Sequence, residues 1–391
     1  MAVSVPTREP HRRPLASLRQ NPASARRHLD WGLLTALVGI CGLGLVMIYS
    51  VTRGQAEPYD TSFVKKQVMF MIIGAVVMVV TALVDYRRLR DLAIPIYVSA
   101  MLLLLAVLSP LGSNIKGSQG WFVIGPFQLQ PSELAKLAMI MAIAALAAGF
   151  EGEITLRRLG LLLLLPGVAV GLIMLEPDLG QGIIIGCILL TTLVVIGVKP
   201  RHLALLAVLA GITVFGVLHS GALDNYQKAR LTVFAKQDDP TQVKATEQGI
   251  AYNLTQAKNA IGSGGISGKG LFKAPLTRTA QVPEQRTDFI FTAVGEQLGF
   301  VGSATLMALY ALLLWRIWRA AQLARDDFGS YLCVGVLGLF LFQIFENAGM
   351  TMGIMPITGI TLPFMSYGGS SLLINFVAVA LVLNVHMRRF T

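Results

Sequence analysis

A handful of ionisable side chains interrupt an otherwise apolar chain, and any chemistry has to start with them. Glu133 and Lys136 stand three residues apart in QPSELAK, and Glu176 and Asp178 fall in EPDLGQ. Asp288 precedes the apolar run FIF, Glu296 lies about two helical turns further on, and Glu346 sits beside Asn347. A charged group near the centre of a transmembrane helix costs at least about 2.5–3.5 kcal/mol, so such residues mark function by default. Asp288 stands out because it lies where polar chain enters an apolar segment. A partly desolvated carboxylate placed there is suited to taking a proton from a substrate hydroxyl.

Each of these residues also has a plainer reading. Glu133 follows Pro131-Ser132 in the first turn of a helix, where a carboxylate favours the helix dipole. It can also neutralise Lys136 at the i,i+3 spacing. Asp178, directly after a proline, reads as a turn residue or as an acid of the site. Glu346 reads as an interhelical hydrogen-bond partner. The segment GSGGISGKG (262–270) invites a phosphate-loop reading, but that pattern needs glycine at Ser263 and Ser or Thr at Gly270, and it fails. Two readings remain for this segment: an amide nest for a diphosphate, or close packing against helices.

These residues need elements to position them, and the composition says which. Of 391 residues, 54% are hydrophobic and 14% charged, against roughly 25% charged in soluble domains. Apolar stretches near 31–51, 67–84, 93–111, 132–149, 159–175, 181–198, 202–219, 289–315, 330–350 and 370–387 can each cross a hydrocarbon core about 30 Å thick. The expected fold is an all-α polytopic membrane protein of about ten transmembrane helices. One long extracytoplasmic loop, about 220–288, joins helices seven and eight. The expected organisation is a basic cytoplasmic tail, 1–30, followed by one transmembrane domain, 31–391. The first apolar run is too long for a signal-peptide core and no A-x-A-like site follows it, so it reads as an uncleaved helix.

The net charge of +11 suggests nucleic acid until the charges are placed. Eighteen of the 32 Lys and Arg fall in the tail and in alternate short loops, which puts both termini in the cytoplasm by the positive-inside rule. Lys65 and Lys66 run against that pattern. The acids then gather in the outer half of the bundle. The long loop holds nine Lys or Arg against six acids, a balance suited to a polyanionic lipid head group or to a solvated surface. Its Tyr226, Leu231, Phe234, Tyr252 and Leu254 predict that it folds back onto the membrane. Cys41, Cys187 and Cys333 lie within apolar runs and imply no disulfide framework. The histidines (11, 28, 202, 219 and 386) have no zinc-ligand spacing.

Five segments in order carry a family resemblance: W-x₉-PSELAK (121–136), EPDLGQ (176–181), YNLTQAKNAIGSGGISGKGL (252–271), PEQRTDFIFTAVGEQLGF (283–300) and MPITGITLPFMSYGGSS (355–371). Over roughly 31–390 the chain resembles the SEDS peptidoglycan glycosyltransferases, and the last segment is closer to RodA-type than to FtsW-type sequences. Gly120-Trp121 and Tyr226-Gln-Lys-Ala-Arg230 depart from arginine-rich versions common in the family. The resemblance implies polymerisation of lipid II on the outer face of the inner membrane during elongation, with inversion and loss of undecaprenyl diphosphate. It implies Asp288 as the base and Glu133 and Asp178 as supporting acids. Lys136, Lys269, Arg286, Arg230 and Trp121 are candidates for holding substrate or diphosphate. A divalent cation (Mg2+ or Mn2+) is an expected cofactor, and a nucleotide is not. The expected partners are lipid II, membrane lipids and a single-pass class B penicillin-binding protein, with no nucleic acid. The rivals are a lipid II flippase, an FtsW-type division polymerase and a scaffold that only recruits the transpeptidase. PITGITLPFMSYGGSS predicts a broken stretch that shapes the cavity floor, or else a plain connecting loop.

Overall fold

The structure is a computed structural model that describes residues 28–53, 59–115, 118–125, 127–219, 225–235 and 249–390. Nearly all of the predicted basic tail lies outside the described residues, as do Lys116, Asp224, Asp238, Asp239 and Glu247 of the predicted loops. All ten predicted apolar segments are helices. They are α1 (Trp31–Thr52), α2 (Ser62–Leu83), α3 (Tyr86–Val107), α4 (Pro131–Ala147), α5 (Leu156–Leu175), α6 (Leu179–Ile196), α7 (Pro200–His219), α11 (Ile290–Gln322), α12 (Asp327–Met352) and α13 (Gly369–Met387). The long loop adds α8 (Asn225–Ala235), α9 (Ile250–Gly264) and the single turn α10 (Pro275–Arg278). Eight of the helices are long and apolar enough to cross a membrane on length and composition. The chain is a multi-pass membrane protein.

The ends of the helices follow from local chemistry. Asp30, Asp85, Thr155, Asp178 and Asp326 each accept a hydrogen bond from an amide of the first turn they precede, satisfying donors that a helix start leaves open. Gly197 and Gly353 close α6 and α12 in the left-handed conformation. One feature departs from the all-α expectation. Between α3 and α4, strands β1 (Ser113–Ile115), β2 (Ser118–Ile124) and β3 (Phe127–Leu129) form a small antiparallel sheet in that order. The β-branched and aromatic run around Trp121, turning at Gly125 with φ 60°, favours strands.

Helices α4, α12 and α13 occupy the centre. Their residues are mostly buried all round, α3 packs on α4, α2 on α13, and α6 and α11 flank α12. The outer helices turn Val76, Val80, Leu102, Leu105 and Leu164 outward, as lipid requires. Helix α7 stands farthest from the core: beyond His202 none of its described side chains is buried.

The part of the long loop around α9 does fold back, with Leu254, Ala257 and Ala260 buried against Phe289 and Met350. The glycine-rich segment after α9 takes the packing role of its two readings. Helix α11 breaks at Gly299, whose φ is 63°, and the break frees backbone groups that must be satisfied within the protein. The amides of Lys269 and Gly270 donate to the carbonyls of Glu296 (2.9 Å) and Gln297 (3.0 Å). In return, the amides of Phe300 and Val301 donate to the carbonyls of Gly265 (2.9 Å) and Ile266 (3.1 Å). A Cβ on Gly299 would lie 2.3 Å from the Gly268 nitrogen. Gly299→Ala is therefore expected to cost about 2–5 kcal/mol through strain and overpacking. Gly262→Ala, with open space at its Cβ, should be close to neutral. Thermal unfolding in detergent checks this, and equal melting temperatures for the two variants would refute it.

Candidate functional site

The start of α4 supplies the first half of the site. Pro131 occupies the first turn and Glu133 sits near the positive end of the helix, as the sequence predicts. Glu133 is not an exposed cap, however. It is 3% exposed and Lys136 is fully buried. Glu133 Oε1 accepts from Lys136 Nζ at 2.9 Å and from Gln181 Nε2 at 3.0 Å. Asp178 caps α6 by accepting from the Gln181 amide at 3.2 Å. Burial pushes the Asp178 carboxyl up, opposed by that amide and by the charges of Lys136 and Arg230. Burial likewise pushes Glu176 up to about 8, with the Asp178 charge adding to it. The PSELAK and EPDLGQ segments thus form one buried polar cluster.

The second half forms where α8, the turn before α11 and the stretch between α12 and α13 meet. Residues 353–368 are irregular and mostly buried, with Ile360, Leu362, Phe364 and Met365 nearly inaccessible. This is the predicted broken stretch, and helices supply its hydrogen bonds. Asn347 Nδ2 donates to the carbonyls of Ile360 and Asp288, both at 2.7 Å. Tyr310 donates to the Pro363 carbonyl at 2.7 Å. Thr358 donates to Glu346 at 2.9 Å, so Glu346 serves this stretch rather than a neighbouring helix.

Arg230 reaches down from α8 and donates to the Thr358 carbonyl at 2.9 Å, while Gln227 on the same helix donates to the Pro177 carbonyl at 3.1 Å. Gly359 lies next in the chain with φ 78° and no side chain. A Cβ there would stand 3.4 Å from Asp288 Oδ2 and 3.7 Å from a terminal nitrogen of Arg230. Carboxylate and guanidinium therefore converge on one bare backbone position, and the Arg230 charge is also felt at Asp178. Asp288, Arg230, Asp178, Glu133 and Lys136 belong to one neighbourhood at one end of the bundle.

The other predicted residues lie apart from this point. Arg286 is exposed and lies over the Phe63 ring, 4.6 Å from its centroid. Lys269 is exposed and engages α11 only through its backbone amide. Trp121 is half-buried on the central strand of the sheet, opposite Ser113. Glu296 is fully buried and receives the amides of Leu276 and Thr277 and the Thr277 hydroxyl at 2.7–2.9 Å. It anchors the loop to α11. Sequence reasoning passed over Gln181, Gln227, Thr358 and Gly359; the adjacency of Gln181 to the EPDLG turn was the signal available for the first. Among the described residues no three His, Cys, Asp or Glu side chains gather to hold a metal. A divalent ion would need substrate phosphates as ligands here, as Mg2+ sites commonly do.

Fold and site together define a multi-pass helical membrane protein with an acid–guanidinium site under a folded loop at one end. The FtsW/RodA/SpoVE family model, described as "Cell cycle protein", matches residues 31–390, and the chain belongs to that family. A probable peptidoglycan glycosyltransferase FtsW of Trichlorobacter lovleyi is 33% identical over 364 residues, covering 91% of this chain and 92% of that one. The crystal structure of the rod shape determining protein RodA of Thermus thermophilus is 30% identical with a TM-score of 0.68, covering 93% of this chain and 98% of that one. A chain from a peptidoglycan synthase complex, solved for its coordination of polymerization and crosslinking, is 31% identical with a TM-score of 0.77, covering 92% and 98%.

The buried ion pair sets a stability test. Lys136→Met leaves Glu133 with its charge partner removed, at an expected cost of about 3–5 kcal/mol. The double variant Glu133→Gln/Lys136→Met should recover most of that loss. Melting temperatures of the single and double variants measure it, and a double variant no more stable than the single would refute the pairing.

Proposed function

We propose that this protein polymerises lipid II into glycan strands at the outer face of the inner membrane, with Asp288 as general base. The observation that carries this reading is the convergence of Asp288 and Arg230 on Gly359. One lipid-linked disaccharide presents its 4-hydroxyl to the Asp288 carboxylate, which takes the proton as the oxygen attacks the anomeric carbon of the second. The bond from that carbon to undecaprenyl diphosphate breaks in the same displacement, which inverts the centre. The diphosphate leaves with the electron pair. Arg230 meets it with a planar fork of donors suited to phosphate oxygens, and Lys136 adds positive field behind it. Glu133 and Asp178 hold Lys136 and the α6 start in place. The site end of the bundle faces outward, and both termini lie in the cytoplasm, in keeping with the distribution of Lys and Arg.

A single-pass class B penicillin-binding protein is the proposed partner, supported by the similarity to a chain of a synthase complex. We place the chain in the elongation branch on the strength of its MPITGITLPFMSYGGSS segment. Rescue of cells depleted of their division polymerase, without rescue of cells depleted of the elongation polymerase, would overturn that assignment.

The direct test is a gel assay for glycan strands from labelled lipid II, with and without the cognate transpeptidase. Asp288→Ala is expected to lower polymerisation at least about 100-fold in a normally folded protein. Arg230→Lys, which keeps the charge and loses the fork, should retain a fraction of the rate. Wild-type rates from Asp288→Ala would move the base to Glu133 or Asp178. No polymer from wild type, with partner and divalent ion present, together with lipid II movement across vesicles, would establish the flippase reading instead.

A further inference from the structure

Arg230 carries the diphosphate side of the site, yet its own helix does little to aim it. Helix α8 is tied to its surroundings by Gln227, which donates to the Pro177 carbonyl at 3.1 Å, and by Val233, buried in the apolar cluster around α9. A guanidinium on a long flexible stem takes a defined direction only where an acceptor fixes it. The Thr358 carbonyl is such an acceptor and receives Arg230 Nη1 at 2.9 Å. The other terminal nitrogen then lies 3.7 Å from where a Gly359 Cβ would stand, the same position that Asp288 Oδ2 approaches at 3.4 Å.

The direction of Arg230 is thus set by a carbonyl in irregular chain. Thr358 lies outside helix and strand, and Gly359, with φ 78°, follows it with a glycine's freedom to turn. Two contacts fix the peptide instead. The Thr358 hydroxyl donates to Glu346 Oε1 at 2.9 Å. On the other flank, α6 passes so close at Gly180 that a Cβ there would stand 3.0 Å from the Thr358 oxygen, which leaves the carbonyl little room to swing. Glu346 lies on the central helix α12 and is 1% exposed, out of reach of a substrate. A carboxylate at that depth in a membrane domain is costly, and its Oε2 makes no hydrogen bond among the described residues. An amide, such as that of Asn347 beside it, would tie the stretch at lower cost. What the acid adds is a stronger, charge-assisted hold on the hydroxyl.

We propose that Glu346 is a positioning residue for the diphosphate: through the Thr358 hydroxyl it fixes the carbonyl that aims the Arg230 guanidinium at the leaving group. The inference rests on the polymerase reading above, in which Arg230 receives the undecaprenyl diphosphate. Glu346 touches no reacting atom. Its loss leaves Arg230 its charge but not its direction, and a misdirected fork loses its two-point grip on phosphate oxygens.

The test is binding of a short-chain prenyl diphosphate, which carries the diphosphate without the sugar, to the full chain in nanodiscs, with strand synthesis from lipid II measured alongside. Glu346→Met and Thr358→Val keep a similar volume and remove the acceptor or the donor. Each should weaken diphosphate binding about tenfold, the scale of one hydrogen bond to a charged group. Thr358→Ser keeps the hydroxyl and should bind as wild type does. Arg230→Gln should bind at least as weakly as Glu346→Met, and combining the two should weaken binding no further, because the relay acts only through Arg230. Should Glu346→Met fail to fold, the Val and Ser variants at 358, each with and without Arg230→Gln, decide alone. Wild-type binding by Glu346→Met and Thr358→Val, additive losses in the double variants, or no diphosphate binding by wild type overturns the proposal. If that happens while wild type polymerises lipid II, the relay fails and the polymerase reading stands. If the variants bind as expected but wild type makes no polymer under any condition, the relay stands as a diphosphate grip and the polymerase reading fails.

Discussion

The side-chain amide of Asn347 holds the site together. It donates at once to the carbonyl of Asp288 and to that of Ile360, joining the turn before α11 to the irregular stretch before α13. Neither segment is regular secondary structure, and irregular backbone is tolerated at membrane depth only where the protein satisfies its polar groups. Asn347 can do this because it lies near the end of α12, the central helix buried on nearly every side. Everything that converges on Gly359 depends on that tie.

The same constraint sorts the acids, which the sequence alone leaves alike. Glu296 is surrounded by donors that it satisfies completely, so it fixes the loop to α11. Glu133 shares one oxygen between Lys136 and Gln181 and holds two helices together. Glu346 takes a hydroxyl from Thr358. Asp288 differs in having its backbone held by Asn347 while its carboxylate reaches toward the guanidinium of Arg230, across a glycine that leaves room. Partners distinguish these roles; residue type and depth do not.

The loop between α7 and α11 shows how a polar segment is anchored to a membrane domain. Its apolar residues along α9 pack on Phe289 and Met350, and the glycine-rich stretch after α9 completes the broken backbone of α11. That exchange of hydrogen bonds explains why glycines recur at 264, 268, 295 and 299, where two backbones pass too closely for side chains. The result is a roof tied to α11 by backbone hydrogen bonds, ending in the turn that carries Asp288.

The sequence by itself determined the ten apolar helices, the broken stretch before the last of them and the family. These follow from runs of apolar residues long enough to span a bilayer, from glycine and proline that interrupt helices, and from motifs contiguous in the chain. It did not show the three-stranded sheet, because short strands beside a polar turn carry little periodic signal. Nor could it separate Arg230, which converges with Asp288 on Gly359, from Arg286, which lies over the Phe63 ring. Those two arginines stand 56 residues apart and carry the same charge, and only tertiary structure decides which one shares Gly359 with the carboxylate. The hydrogen bonds that decide it join residues more than a hundred positions apart, such as Arg230 to Thr358, and such contacts leave no local pattern to read.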